Sequence, residues 1–193
     1  MNVGIGFNFG TVYVKDEPLA HVREAIEELM QESGREPTAE RGLEPTPERS
    51  VSSKRVRSFA IFPEENGWTA IVEDGHGPDD GGIAEGVSDI LQAEVLALAY
   101  SDAEGYWSYT RYCEGQPLEA GGADDADFDV SAADFVASSS LPHFGVYYEE
   151  VAAAAGDTAP ALAGSEITGN IRPRLPIGTE VVTFVRRSRK SPD

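Results

Sequence analysis

No run of apolar residues in this chain is longer than six, the stretch Val95 to Tyr100. A helix that crosses a bilayer needs about 18 or more, so hydrophobic side chains must be gathered from short pieces. Short pieces bury themselves as strands that alternate every second residue or as helices with one apolar stripe. Both patterns recur along the 193 residues. The single cysteine, Cys113, excludes an internal disulfide, so packing alone must hold the fold. The apolar start, Val3 to Val14, is broken by Gly4, Gly6 and Gly10, and the first base, Lys15, comes after it. A secretory signal has its charge ahead of the apolar segment. The reading is a buried strand in a cytoplasmic protein with no membrane partner.

The chain order then follows from local signals. Gly10 to Val14 reads as a strand, and Asp16-Glu17-Pro18 opens a helix in which Leu19, Val22, Ile26, Leu29 and Met30 share one face, with Gly34 as its stop. Residues 34–54 hold three prolines, and Glu36-Pro37-Thr38 is echoed by Glu44-Pro45-Thr46, which predicts a mobile extended loop. Arg57 to Phe62 and Trp68 to Glu73 form a predicted hairpin whose turn ends in Asn66-Gly67. Asp79 to Gly82 cap a second helix carrying Ile83, Val87, Ile90 and Leu91. Val95 to Tyr100, Tyr106 to Cys113 and a short edge strand from Gln116 to Ala120 complete the pattern. The expected fold is α+β: an antiparallel sheet in the order β-α-β-β-α-β-β-β, covered on one face by two helices.

Residues 1–120 thus make a sheet domain, and residues 121–193 a less regular C-terminal extension packed on it. Gly121 to Asp129 reads as an acidic, glycine-containing loop. Ser131-Ala132-Ala133-Asp134 should cap a short helix bearing Phe135 and Val136. Pro142 to Ala155 is a further helical candidate, and Glu180 to Arg186 a last strand of unassigned position.

Charge is distributed unevenly. Asp and Glu number 34 against 15 Lys and Arg, a net of -19. Arg172, Arg174, Arg186, Arg187, Arg189 and Lys190 all lie in the last 33 residues, so residues 1–160 are more acidic than the whole. Nucleic-acid affinity rests on Lys and Arg displacing counterions, which argues against nucleic acid on the main body. The basic tail reads as a solvated end that softens the repulsion of that body. The excess of arginine over lysine suits a GC-rich bacterial genome, and acidity alone also suits adaptation to salt.

Complete catalytic patterns are missing. Gly4, Gly6 and Gly10 lack dinucleotide spacing and precede a strand where a helix is needed. Asp125, Asp127 and Asp129 open like a calcium loop, but Val130 replaces the glycine and Val136 the bidentate glutamate. His76, with Asp74, Asp79 and Asp80, is the better metal candidate, although a solvated connector is the simpler reading. Cys113 sits beside Glu114, which opposes thiolate formation. No cofactor and no metal are assigned.

Two features remain. Trp107, Tyr109 and Arg111 alternate along one strand and form a recognition platform if they face away from the helices, or core if they face them. Asp124, Asp125, Asp127 and Asp129 concentrate negative charge just after it. Together these seven residues are the expected partner-binding set. In size, acidity and α+β class the chain resembles bacterial immunity and inhibitor proteins, which implies a non-enzymatic module that holds a basic protein partner. The alternatives are a metal-dependent hydrolase around His76, and a protein whose acidity serves salt tolerance or solubility.

Overall fold

Eight strands hydrogen-bond into one antiparallel sheet in the computed structural model, which describes residues 8–38, 56–73, 82–101, 104–143 and 177–186. The elements are β1 (Asn8–Lys15), α1 (Leu19–Glu32), β2 (Arg35–Pro37), β3 (Val56–Ile61), β4 (Trp68–Glu73), α2 (Ile83–Leu91), β5 (Val95–Ser101), β6 (Tyr106–Cys113), β7 (Gln116–Ala123), α3 (Phe128–Ser138) and β8 (Glu180–Arg186). Their order across the sheet is β2-β8-β3-β4-β1-β5-β6-β7. The α+β class read from the sequence is the one observed. No helix among the described residues is long and apolar enough to cross a membrane.

Two of the connections are set by turn chemistry. Asn66 and Gly67 both take positive φ, 55° and 80°, between β3 and β4. Glu65 and Trp68 then exchange both backbone hydrogen bonds at 3.0 Å. Such a mirror-image turn matches the twist of the strands it joins. Glu114 and Gly115, at 51° and 70°, make the same kind of reversal between β6 and β7.

The period-2 alternation of the strands sorts their side chains onto two faces. Val12, Val14, Phe59, Ile61, Ile71, Val95 and Phe184 point to one, where Val22, Ala25, Ile26 and Met30 of α1 and Ile83, Ala84 and Val87 of α2 meet them. The helices approach closely at Gly86, where a Cβ would come 2.7 Å from Leu29 Cδ1. Tyr13, Ala60, Phe62, Trp68, Ala70, Val72, Leu96, Leu98 and Trp107 point to the other face, joined by Ala132 of α3 and by Leu141. Each large side chain buried this way contributes about 1.5–3 kcal/mol. Both faces of the central strands are therefore covered, which is why β4 is buried almost throughout.

Four details differ from the sequence reading. A third helix lies on the face opposite α1 and α2, beginning at Phe128 and not at Ser131. β7 runs on to Ala123, through the segment expected to be loop. Part of the expected loop over 34–54 is strand, because Arg35 to Pro37 pair with Arg186 to Phe184. The last strand enters the sheet between β2 and β3, in register from Val56↔Val185 to Ile61↔Glu180. Residues 39–55, the His76 segment from Asp74 to Gly81, and the helical candidate from Phe144 onward lie outside the described residues.

Buried polar groups are mostly satisfied, as the low dielectric of a core demands. Ser58 and Thr183 hydroxyls bond at 3.0 Å across β3 and β8, and Thr69 Oγ1 donates to Glu17 O at 2.8 Å. Arg57 makes a two-pronged pair with Glu73, both side chains 14% exposed. Tyr13 OH and Thr11 Oγ1 are exceptions: neighbours on the β1 face toward the second core, they influence one another without reaching hydrogen-bond geometry, and no other group pairs with either. Burial pushes the Tyr13 phenol well above the ordinary tyrosine range, with Thr11 pulling weakly the other way.

Candidate functional site

β6 alternates Trp107, Tyr109 and Arg111 against Tyr106, Ser108, Thr110 and Tyr112, and the first set faces away from α1 and α2. That face is not bare, because α3 lies over it. Phe135 of α3 sits 4.4 Å from the Tyr109 ring and 5.0 Å from the Trp107 ring, and the two β6 rings stack on each other at 5.9 Å. Trp107 is buried, at 6% exposure, and its Nε1 donates to Ser131 Oγ at 2.8 Å. Ser131 in turn donates to Phe128 O at 3.0 Å. Ser131, expected as a cap, thus works inside the first turns of α3 as an acceptor for the buried indole.

Tyr109 is half-buried and reaches the rim, where its hydroxyl donates to Glu119 Oε1 at 2.6 Å. That bond, with burial and the Glu119 charge adding to it, holds the phenol above its ordinary pKa. Arg111 lies between two carboxylates, with Nη1 3.5 Å from Glu119 Oε2 and Nε 3.5 Å from Glu94 Oε1. The Glu94 contact is an ion pair without a hydrogen bond. Lys15 Nζ also reaches Glu94, at 3.3 Å.

The four aspartates follow β7 directly. Asp125 Oδ1 accepts from the Asp127 backbone N–H at 3.1 Å, and Phe128 N–H donates to Asp125 O at 3.2 Å, so the acidic segment forms the turn that starts α3. Carboxylates at a helix start are favoured by the dipole. Asp129 accepts a hydrogen bond from Tyr100 OH, which fixes its carboxylate against β5. All four aspartates are exposed. The structure therefore places the seven expected residues along one edge region of the sheet, with Trp107 buried beneath α3, Tyr109 and Arg111 at the rim and the aspartates beyond the end of β7.

What unites them is β7, the outermost strand. Gln116 to Gly122 are exposed, and β6 is its only strand partner among the described residues. Pro117 removes one donor near the turn, and a register shift opposite Arg111 and Tyr112 leaves Leu118 as an extra residue, 64% exposed. Edge strands carry a row of backbone donors and acceptors that can pair with another chain, and prolines and bulges limit where they do so. Here the unbroken stretch is Glu119 to Ala123.

A shallow pocket of about 340 Å³ lies at the turn end of the same edge, lined by Gly82, Glu85, Gly86, Asp89, Gly115 and Gln116. Glu85 and Asp89 are exposed and one helical turn apart on α2, which adds two carboxylates beside the start of β7. No group of three His, Cys, Asp or Glu able to hold a metal occurs among the described residues. Cys113 is half-buried at the end of β6. The sequence reading missed Glu85 and Asp89, whose only signal was i, i+4 spacing on a helix whose exposed face pointed nowhere in particular. Comparison with protein-family models, with curated proteins and with solved structures finds no match for this chain.

Proposed function

We propose that this protein is a non-enzymatic binding module that captures a basic, extended segment of a partner protein along the outer edge of β7. The observation that carries the reading is the exposed edge itself, unpaired with any other described strand and bordered by carboxylates along its length. Glu85 and Asp89 stand at one end, Glu119 in the middle, and Asp124, Asp125 and Asp127 at the other, while Asp129 turns inward to Tyr100 of β5. A strand added there gains main-chain hydrogen bonds from the edge, and its Lys and Arg side chains meet the acidic border. Trp107, Tyr109 and Phe135 hold β6, β7 and α3 together beneath that edge, which keeps it rigid and limits the ordering cost of binding. Small size, acidity and α+β class, shared with many bacterial immunity and inhibitor proteins, support the reading at the level of class.

Titration with a labelled peptide of alternating Lys and Val tests the proposal. Binding at low salt that weakens as ionic strength rises is expected, because exposed charges are screened. Methylating alternate backbone nitrogens of the peptide keeps its charge and removes strand pairing, so it should abolish binding. Absence of binding at low salt, or equal binding of the methylated peptide, would overturn the reading.

A further inference from the structure

The outer edge of β7 suits an extended basic segment, and the sequence contains one. Arg186 ends β8 as an exposed residue, and Arg187-Ser188-Arg189-Lys190 follow it directly. Extended, this run sets Arg187 and Arg189 on one side and Lys190 on the other. Three bases within four residues stand out in a chain of net charge -19.

The run cannot reach the β7 edge of its own molecule. Six steps cross the sheet from β8 to β7 and every one is antiparallel, so the two strands run in the same direction. Arg186 and Ala123 therefore lie at the same end of the sheet, separated by the width of those six spacings, about 29 Å. Four extended residues span at most about 14 Å. The edge of a second copy is under no such limit.

We propose that the Arg187-Ser188-Arg189-Lys190 segment of one copy adds to the β7 edge of another and joins the copies head to tail. This rests on β7 as the binding edge and identifies what that edge holds. Charge complementarity carries it: Glu119 and, past the end of the strand, Asp124, Asp125 and Asp127 are exposed where the bases of an added strand would lie. The edge also has room for them. From Ala120 to Ala123 β7 holds only alanine and glycine, so long arginine stems meet no side chain larger than a methyl group. Edge and run are different patches of the molecule, so the contact is heterologous and leaves one free edge and one free run until a ring closes. Acidic bodies repel at long range, and about 0.1 M salt screens that repulsion beyond about 10 Å while sparing pairs in contact.

Sedimentation velocity of the full chain at about 0.1 M salt tests it. Concentration-dependent association is expected, and about 1 M salt should remove it by screening the exposed pairs. A variant carrying Arg187→Gln, Arg189→Gln and Lys190→Gln should associate about tenfold more weakly, the loss of three exposed ion pairs. Glu119→Gln with Asp124→Asn should weaken association from the other side. Mixed together, the two variants should form heterodimers that grow no further, because one supplies an intact edge and the other an intact basic run. A parent that stays monomeric over its soluble range, or a mixture that does not associate, would overturn the proposal. Stronger association of the edge variant would overturn it too, since that marks β7 pairing with β7 across a two-fold axis. If the alternating Lys and Val peptide binds a parent that stays monomeric, the β7 reading stands and only this choice of partner fails.

Discussion

Tyr109 on β6 lies directly across from Gly121 on β7, and its ring fills the place a Gly121 side chain would take: a Cβ there would come within 2.7 Å of Tyr109 Cε1. An aromatic ring laid over a cross-strand glycine offsets what glycine costs in a strand. The next residue is more constrained. Gly122 has φ 153°, and a Cβ on it would stand 2.2 Å from Trp107 O, a backbone atom that cannot step aside.

Two substitutions separate these roles. Gly122→Ala should cost about 2–3 kcal/mol, because backbone strain of this kind has no inexpensive relief. Gly121→Ala should cost about 1 kcal/mol in the parent and nearly nothing when Tyr109 is also alanine, since the clash is with a movable ring. Urea unfolding of the parent and the four variants measures both, and a Gly121→Ala cost that persists without Tyr109 would contradict the pairing.

The same glycines explain where sequence reading stopped. The hairpin at Trp68, the helices at Leu19 and Ile83, and the strands at Val95 and Tyr106 were legible from periodicity and turn residues, because each makes its pattern locally. Read from sequence alone, β7 stops at Ala120, because two glycines and the aspartates after them look like loop until Tyr109 and Trp107 are seen to cover them. Counting back from the Glu114-Gly115 turn would also misplace the pairing. The extra residue at Leu118 moves Tyr109 from Ala120 to Gly121. α3 announced itself weakly, since its apolar residues Phe128, Ala132, Phe135 and Val136 follow an acidic turn that resembles solvent-exposed chain. The meeting of Arg35 with Arg186 across β2 and β8 is invisible in the sequence for a different reason. Arg35, Arg57 and Arg186 are far apart in sequence, and only the insertion of β8 between β2 and β3 brings them together.

Tyr13 supplies a test of the buried polar exceptions. Its hydroxyl is fully buried on the central strand with no hydrogen-bond partner. An unsatisfied buried hydroxyl forfeits its hydration without return. Tyr13→Phe should therefore stabilise the fold by about 1 kcal/mol, a Tm rise of about 3 °C for a chain of this size. A loss of stability in thermal melts would mean that the hydroxyl is held by a partner after all.

His143 makes stability depend on pH. Its ring stacks on Phe62 at 4.7 Å, and burial holds its pKa below the ordinary histidine value, opposed by Glu65 at 3.6 Å from Nε2. The unfolded chain then protonates this ring first, at about pH 6.5. Stability contributed by the neutral ring is complete above about pH 6.5 and is lost as pH falls from there through the lower folded value. Melts from about pH 7.5 down to about pH 5 should show a steeper decline for the parent than for His143→Gln, whose side chain cannot charge. Parallel curves would exclude this residue as the source of the slope.

Arg57 and Glu73 form the most buried ion pair among the described residues, and its two members should not be equivalent to remove singly and together. Glu73→Gln removes the two-pronged partner of a sheltered guanidinium that has Arg186 diagonal to it across β8, and should cost about 3 kcal/mol. Replacing both residues, Arg57→Met with Glu73→Leu, removes charge and countercharge at once and should recover most of that loss, because neither desolvation cost remains. Moderate salt should do little for the Glu73→Gln chain, since sheltered charges are screened far less than exposed ones. Urea midpoints of the three chains decide the matter: a double variant as unstable as Glu73→Gln would show that shape at this corner, and not charge pairing, sets its stability.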